Sequence, residues 1–311
     1  SAAMGVDVRS QSEPVGEFVG NVAHSNGTFG IFIEPVFPPH DFYVQDATVY
    51  KNRSHGMWIT SNGRLLGGGM VIVDGARVAD NSTGIIIPGF GRVQNTVYVG
   101  RSANNSADLY AGRSPGSSII GHRFYDGPTA VVDSAFVNYE TSDEYPAGAF
   151  SWRAPLIQGR VVGNTVENVQ LVNANAAYVG DHGDMSYGAD VSYPSLPFVD
   201  IDGSLTGVPH SIVASSFPLM VSAAAVARPE WNAHIVTEPV GLLRKSCASG
   251  GCPTTFVRDD GAMAHVGFDG RFNVLMNHSY TMYRRETTCD FEVVLIHEFA
   301  GDWVRIATPY T

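Results

Sequence analysis

The sequence predicts an all-β chain: a right-handed parallel β-helix over residues 1–212, followed by a small β-sandwich-like or capping domain over residues 213–311. Three observations carry that prediction. A pattern of Asn, then Gly, then an aliphatic run recurs about every thirty residues. The 34 glycines and 17 prolines are scattered as turn punctuation, and no long stretch keeps a helical period. The last third drops the repeat and takes up partial polar–apolar alternation.

The first unit is "VGNVAHSNGTFGIFI", Val19 to Ile33, the second "VYKNRSHGMWI", Val49 to Ile59, and the third "VADNSTGIII", Val78 to Ile87. Asn21, Asn52 and Asn81 head these units 31 and 29 residues apart, and each stands before a Gly followed by "IFI", "MWI" or "III". Weaker echoes follow at Asn138 and Asn168. Each unit is rich in β-branched and aromatic residues between Asn and Gly turns, so it reads as strands. Self-similarity at such a period signals stacked repeats, each burying its inward side chains against the next. An asparagine recurring at one place in successive coils forms a ladder, because its amide satisfies backbone groups of the neighbouring coil. The repeat fades near residue 208. Beyond it, "FNVLMNHSYTMYRRE" and "CDFEVVLIHEFAGDWVRIA" suggest antiparallel strands that cover the open end of the stack.

A chain of 311 residues with 44 % apolar and 16 % charged content can bury a sizeable core. Its net charge of −11 argues against nonspecific binding to nucleic acid or to an anionic membrane. The longest apolar run, Ile212 to Ala227, is shorter than the roughly 20 residues of a spanning helix and is broken by Ser215, Ser216 and Pro218. It reads as core, and the chain as not membrane-spanning. The N-terminus lacks a basic segment followed by an apolar one, so it reads as a start inside a longer protein or after processing. Cys247 and Cys252 are spaced CxxxxC, which suits a disulfide better than a zinc site, with Cys289 left over. Sequons at Asn26, Asn52, Asn81, Asn104 and Asn277 point to a secreted or extracellular glycoprotein. No GxSxG, no P-loop and no GxGxxG between strand and helix is present, so acyl transfer and nucleotide chemistry have no support.

The order of "NVAHSNGTFGIFI", "VYKNRSHGMWI", "VADNSTGIII", "TVYVGRS", "FYDGPTAVVDSAF", "VDIDGSLTG" and "GDWVRIATPY" resembles the family of the vertebrate cell-migration-inducing hyaluronidase, its transmembrane relative and the fibrocystin-L group. The resemblance runs in register over nearly the whole chain. It implies the C-terminal β-helix region of an extracellular, N-glycosylated protein that binds and depolymerises hyaluronan, with further modules upstream. The partner it implies is a polysaccharide, hyaluronan first.

Glycoside hydrolysis commonly uses two carboxyl groups, and lyase chemistry on a uronate uses a base with a cation on the carboxylate. The candidates for catalysis are His24 and His55, each three residues after its Asn, expected roughly 5 Å apart in adjacent coils, with Asp80 as carboxylate partner. Asp126 and Asp133 are further carboxylates in coil-forming segments. Arg53, Arg101, Arg123 and Arg153 are the candidate substrate-binding cations, with Arg113 and Arg160 in the same half. No cofactor is required, and "DIDG" offers Asp200 and Asp202 as weak Ca²⁺ candidates beside Asp181, His182, Asp184 and Asp190. A non-catalytic carbohydrate-binding or adhesive segment of a larger glycoprotein, and a polysaccharide lyase, stay open beside the hydrolase reading.

Overall fold

The computed structural model describes residues 16–36, 40–61, 68–104, 118–125, 128–142, 145–153, 163–177, 198–214, 216–247, 254–266, 270–284, 289–295 and 301–308. Among them the chain is nearly all β, with parallel sheets, one 3₁₀ turn at Pro229–Trp231 and no α-helix. No helix among the described residues is long and apolar enough to cross a membrane.

The first two-thirds is built from three parallel ladders. The first joins β1 (Phe18–Val19), β4 (Phe42–Gln45), β7 (Val71–Asp74), β10 (Gly91–Gln94) and the opening halves of β13 (Thr129–Tyr139) and β15 (Asn164–Ala174), and ends on β16 (Phe198–Asp200). The second joins β2 (Val22–His24), β5 (Thr48–Tyr50), β8 (Arg77–Ala79), β11 (Val97–Val99) and the closing halves of β13 and β15. The third runs β3 (Phe29–Val36), β6 (His55–Ser61), β9 (Thr83–Ile86), β12 (Ile119–Tyr125), β14 (Ala147–Arg153). Each strand therefore pairs with the strand one repeat away rather than with its neighbour in sequence.

Single left-handed residues make the corners. Between the first and second ladders stand Gly20, Asp46, Gly75, Asn95, Asp133 and Asn168, all at positive φ. The corner N–H stays in the ladder, as Asp46 N donates to Asp74 O and Asn95 N to Val132 O, while the backbone turns. Gly, Asn and Asp bear this conformation at the least steric cost. A second corner, Ser25, Lys51, Asp80 and Asn138, also at positive φ, follows the second ladder.

The interior between the ladders is filled by columns of like residues. Val44, Val73, Val93, Val131 and Val166 share one register column, all fully buried. Farther along the stack Phe124, Phe136, Phe150 and Phe198 fill the same cluster, with ring centroids 4.7 to 5.8 Å apart.

After β16 the pairing turns antiparallel. β17 (Ser211–Ala214), β18 (Val226–Arg228) and β19 (Ala233–Val236) extend the first sheet. β17 and β19 alternate between two cores: Val213 and Ile235 belong to the cluster of the parallel ladders, whereas Ile212, Ala214 and Val236 belong to a second cluster. Two more sheets complete that second cluster. One holds β20 (Val240–Cys247), β23 (Gly270–Leu275) and β25 (Cys289–Leu295); the other holds β21 (Thr254–Arg258), β22 (Met263–Val266), β24 (His278–Arg284) and β26 (Val304–Ala307). Phe256 and Phe272 meet across them at 5.1 Å. Arg258, almost fully buried, donates to the Leu219 and Val221 carbonyls and to the Asp260 carboxylate, which that hydrogen bond holds down to about 2.

Candidate functional site

The third ladder owes its geometry to a glycine column. Gly30, Gly56, Gly84 and Gly121 stand in register, and a Cβ on each would lie 2.4 to 2.7 Å from the carbonyl oxygen of the next residue in the column, ending on Ala149. No side chain fits there, so the recurring Gly of the sequence repeat is required by close approach of backbone. From this column outward, alternation sorts the strands. Ile31, Met57, Ile85, His122 and Phe150 form a buried register column, and Phe32, Trp58, Ile86 and Arg123 stand one position later, outside the interior cluster.

That outward face is aromatic. Phe29 stacks on His55 at 5.1 Å and leans on Phe32 at 4.7 Å, and His55 sets its ring perpendicular to Trp58 at 5.4 Å. Trp58 in turn meets Tyr125 at 5.6 Å. The indole is held in place: Trp58 Nε1 donates to Glu34 Oε1 and to Thr60 Oγ1, both at 3.1 Å, and the Thr60 hydroxyl donates to Glu34. Phe32 is 50 % exposed, while Phe29, His55, Trp58, Tyr125 and Arg123 are half-buried. Ile86 is buried among them without joining the interior cluster. Partly exposed rings on a sheet face, with a carboxylate beside them, can hold a ligand that has apolar faces and polar edges.

His122 is the anomaly beneath this face. It is fully buried between Ile85 and Phe150 in register, edge-on to Phe124 at 4.9 Å, and neither ring nitrogen has a hydrogen-bond partner. Desolvation by burial lowers its pKa to about 3, so the ring is neutral at ordinary pH.

The expected His24–His55 stack does not form. His24 registers with Tyr50 on the second ladder and stacks on its ring at 4.7 Å, whereas His55 registers with Phe29 and Thr83 on the third. The reason is the true asparagine ladder, which is Asn26, Asn52 and Asn81. Asn52 Oδ1 accepts from the Asn26 backbone N–H and amide, and Asn81 Oδ1 accepts likewise from Asn52. Asn21 lies before β2 and bonds locally to Val19 O. The corner thus falls after His24 and before His55, which puts them on different faces. Asp80 belongs to a third column, at the corner, 2 % exposed, with both carboxylate oxygens taken by the Ser102 N–H and hydroxyl. The three residues expected to cooperate are held in three separate columns.

Of the candidate arginines, Arg123 lies on the aromatic face, and the backbone of Arg153 registers with Tyr125 at the end of the adjacent strand. Arg101 packs over Tyr145 at 5.5 Å and donates to Ser142, beyond the second ladder. Arg53 is exposed in the turn that leads into β6, its N–H bonded to Asn26 O. Arg113, Arg160 and Asp126 lie outside the described residues, as do Asp181, His182, Asp184 and Asp190. Asp133 is a corner residue that accepts from Asn168.

Asp202 spends both carboxylate oxygens on the chain and Asp200 only Oδ2, its Oδ1 being buried without a hydrogen-bond partner. Asp200 Oδ2 accepts from the N–H groups of Leu205 and Thr206 and from the Thr206 hydroxyl, and Asp202 accepts from Asn168 N and Ser204 N. For Asp202, burial pushes the carboxyl up, but the bonds from Ser204 and Asn168 outweigh it and the net shift is downward. No group of three metal-ligating side chains is assembled among the described residues. The sequons at Asn52 and Asn81 are corrected by the fold: both side chains are buried and their amide hydrogens are used within the stack, so a glycan has no room on either. Asn26 is exposed, but its amide donates to Asn52, while Asn104 and Asn277 are exposed. Cys252 lies outside the described residues, and the backbone of Cys247 stands directly opposite Cys289.

Sequence reasoning missed Phe29, Phe32, Trp58, Tyr125, Glu34 and Thr60. The signal was present: the residue two places after each repeated Gly is Phe32, Trp58, Ile86 and Arg123 in turn.

No family profile matches the chain. It is similar to the cell migration-inducing and hyaluronan-binding protein of Mus musculus, 22 % identical over an alignment of 376 positions, and to that of Homo sapiens, 21 % identical over 378. Each alignment covers 97 % of this chain and 27 % of the relative, so the chain spans about a quarter of the length of the curated relatives it matches.

Proposed function

We propose that this chain is an extracellular glycan-interacting protein, and that its three ladders are the faces of one right-handed parallel β-helix whose third face binds a polysaccharide. The observation that carries the reading is the aromatic face of Phe29, Phe32, His55, Trp58 and Tyr125 beside Arg123. A sugar ring presents polarised C–H groups on its face and hydroxyls on its edge. The first suit the negative face of an aromatic ring, and the second suit Glu34, Thr60 and Arg123. The word hyaluronan in the relatives' names makes that polymer the first to test.

Binding without cleavage is the form of the proposal that the geometry supports best. Hydrolysis would draw on a pair of carboxyl groups. Glu34 on this face is already bonded to Trp58 and Thr60, and Asp80 is committed to Ser102. Labelled hyaluronan incubated with the chain should be retarded in affinity electrophoresis, with its size distribution unchanged. Unretarded polymer would sink the glycan reading. Shortened polymer would restore the enzyme reading, with ultraviolet-absorbing unsaturated ends marking a lyase.

A further inference from the structure

We propose that His278 and Glu238 hold a divalent cation of the zinc class, on residues of the last third that the glycan-binding reading does not use. His278 opens β24, and its two ring nitrogens meet different surroundings. Nδ1 lies 2.7 Å from Asp259 Oδ1, in the turn after β21. The other oxygen of Asp259 accepts from the Ser279 N–H, and that bond holds the carboxyl below the usual carboxylate range against the upward push of burial. The ionised Asp259 keeps the ring proton on Nδ1, so Nε2 presents its lone pair. That nitrogen faces Glu238 Oε1 at 3.9 Å, and neither atom has another partner among the described residues.

Two acceptors that face each other repel unless a cation lies between them. The gap is too long for a hydrogen bond and falls just under the sum of one Zn–N and one Zn–O bond, about 4.1 Å, so one ion reaches both atoms with little movement. Each ligand is already oriented from behind, as metal-ligating groups are. Asp259 stands behind His278, and the Ser222 hydroxyl donates to the far oxygen of Glu238 while accepting from the Ala224 N–H. The nearby guanidinium of Arg258 does not compete, because Asp260 and the Leu219 and Val221 carbonyls hold it. The side chains of His278 and Glu238 are 21 % and 28 % exposed, so an ion can enter and water can complete its coordination. One imidazole and one carboxylate suit Zn²⁺ better than Ca²⁺, which takes about six to eight oxygens. The ion ties β24 to the connection between β19 and β20, and through Ser222 to the connection between β17 and β18.

The test titrates Zn²⁺ into the whole metal-stripped chain by calorimetry and follows the thermal midpoint, with Ca²⁺ as control. Wild type should bind Zn²⁺ in a ratio near one to one and melt higher with it, and Ca²⁺ should do neither. His278→Gln and Glu238→Gln should each weaken Zn²⁺ binding about tenfold or more. Asp259→Asn leaves both ligands in place and should weaken it by about ten- to a hundredfold. Because each substitution also changes stability, the imidazole nitrogen resonances provide a second readout: Zn²⁺ should move the signals of one histidine, and those signals should be absent from His278→Gln. Unchanged affinity in either ligand variant, or a wild-type chain that does not respond to Zn²⁺, would overturn the site. So would a metal-free chain whose midpoint rises on mild acidification and gains nothing from Zn²⁺, since a proton then fills the gap.

Discussion

Asn52 sits at the middle of a three-residue ladder and takes part in bonds to Asn26, Ala23 and Asn81. Asn52→Ala should cost about 2–4 kcal/mol in denaturant unfolding, because its partners in the two neighbouring repeats lose their bonds together. Peptide mapping of protein from a glycosylating host should find Asn52 and Asn81 unmodified. His122 makes the opposite kind of prediction. Its folded pKa of about 3 lies below the unfolded value of about 6.5, so the unfolded chain binds the proton first. The stability associated with the neutral ring is fully present above pH 6.5, declines as pH falls toward 3, and declines no further below that. His122→Phe, a ring of similar volume beside Phe124 and Phe150, should remove this acid sensitivity, narrowing the stability lost between pH 7 and 4 by up to about 3 kcal/mol. An unchanged pH slope in the variant would show that the ring is hydrated. At this scale the sequence named the ladder residue type but chose Asn21 for Asn26. Both follow a left-handed corner, Gly20 and Ser25, and only the hydrogen bonds tell which one joins the ladder.

Strands and corners show the same division. The recurrent Gly of "FGIFI", "HGMWI" and "TGIII" was legible as a repeat, whereas Gly121 of "IGHRF" was not, and the cause is steric: at Gly84 a Cβ would sit 2.4 Å from Gly121 O. Gly84→Ala should therefore destabilise by about 3 kcal/mol or more, whereas Gly27→Ala, with nothing within 4 Å, should change the thermal midpoint little. The corner column Gly20, Asp46, Gly75, Asn95, Asp133 and Asn168 was less legible, because three residue types share it and none dominates. Lys51 at the second corner is a residue no propensity rule would choose for positive φ. In the last sheets, the antiparallel register of β20 and β25 sets Cys247 opposite Cys289, a separation that a disulfide can span. Non-reducing peptide mapping should show these two joined if the protein matures in an oxidising compartment. A peptide linking Cys247 to Cys252 would show that the loop after β20 overrides the strand register.

For the molecule as a whole, β17 and β19 matter most, because opposite faces of these strands serve the two clusters. A fragment ending at residue 212 would strip Val213, Ala233 and Ile235 from the core of the parallel ladders. It should bind a hydrophobic dye and melt without cooperativity, whereas the full chain melts cooperatively; a cooperative, dye-free fragment would establish the first part as self-sufficient. The sequence alone determined that this chain is all β, repetitive in its first two-thirds and different in its last. Strand propensity, turn residues and period are local properties, and they survive in one dimension. Tertiary structure decided which residues meet. Repeat lengths differ, 26 residues from Asn26 to Asn52 and 29 from Asn52 to Asn81, so no fixed period places His24, His55 or Trp58 on a face. Backbone pairing between parallel strands of successive repeats fixes that register. Through it, a predicted pair of histidines became two separate ring stacks, and a column of Phe32, Trp58, Ile86 and Arg123 became the surface on which the proposed function rests.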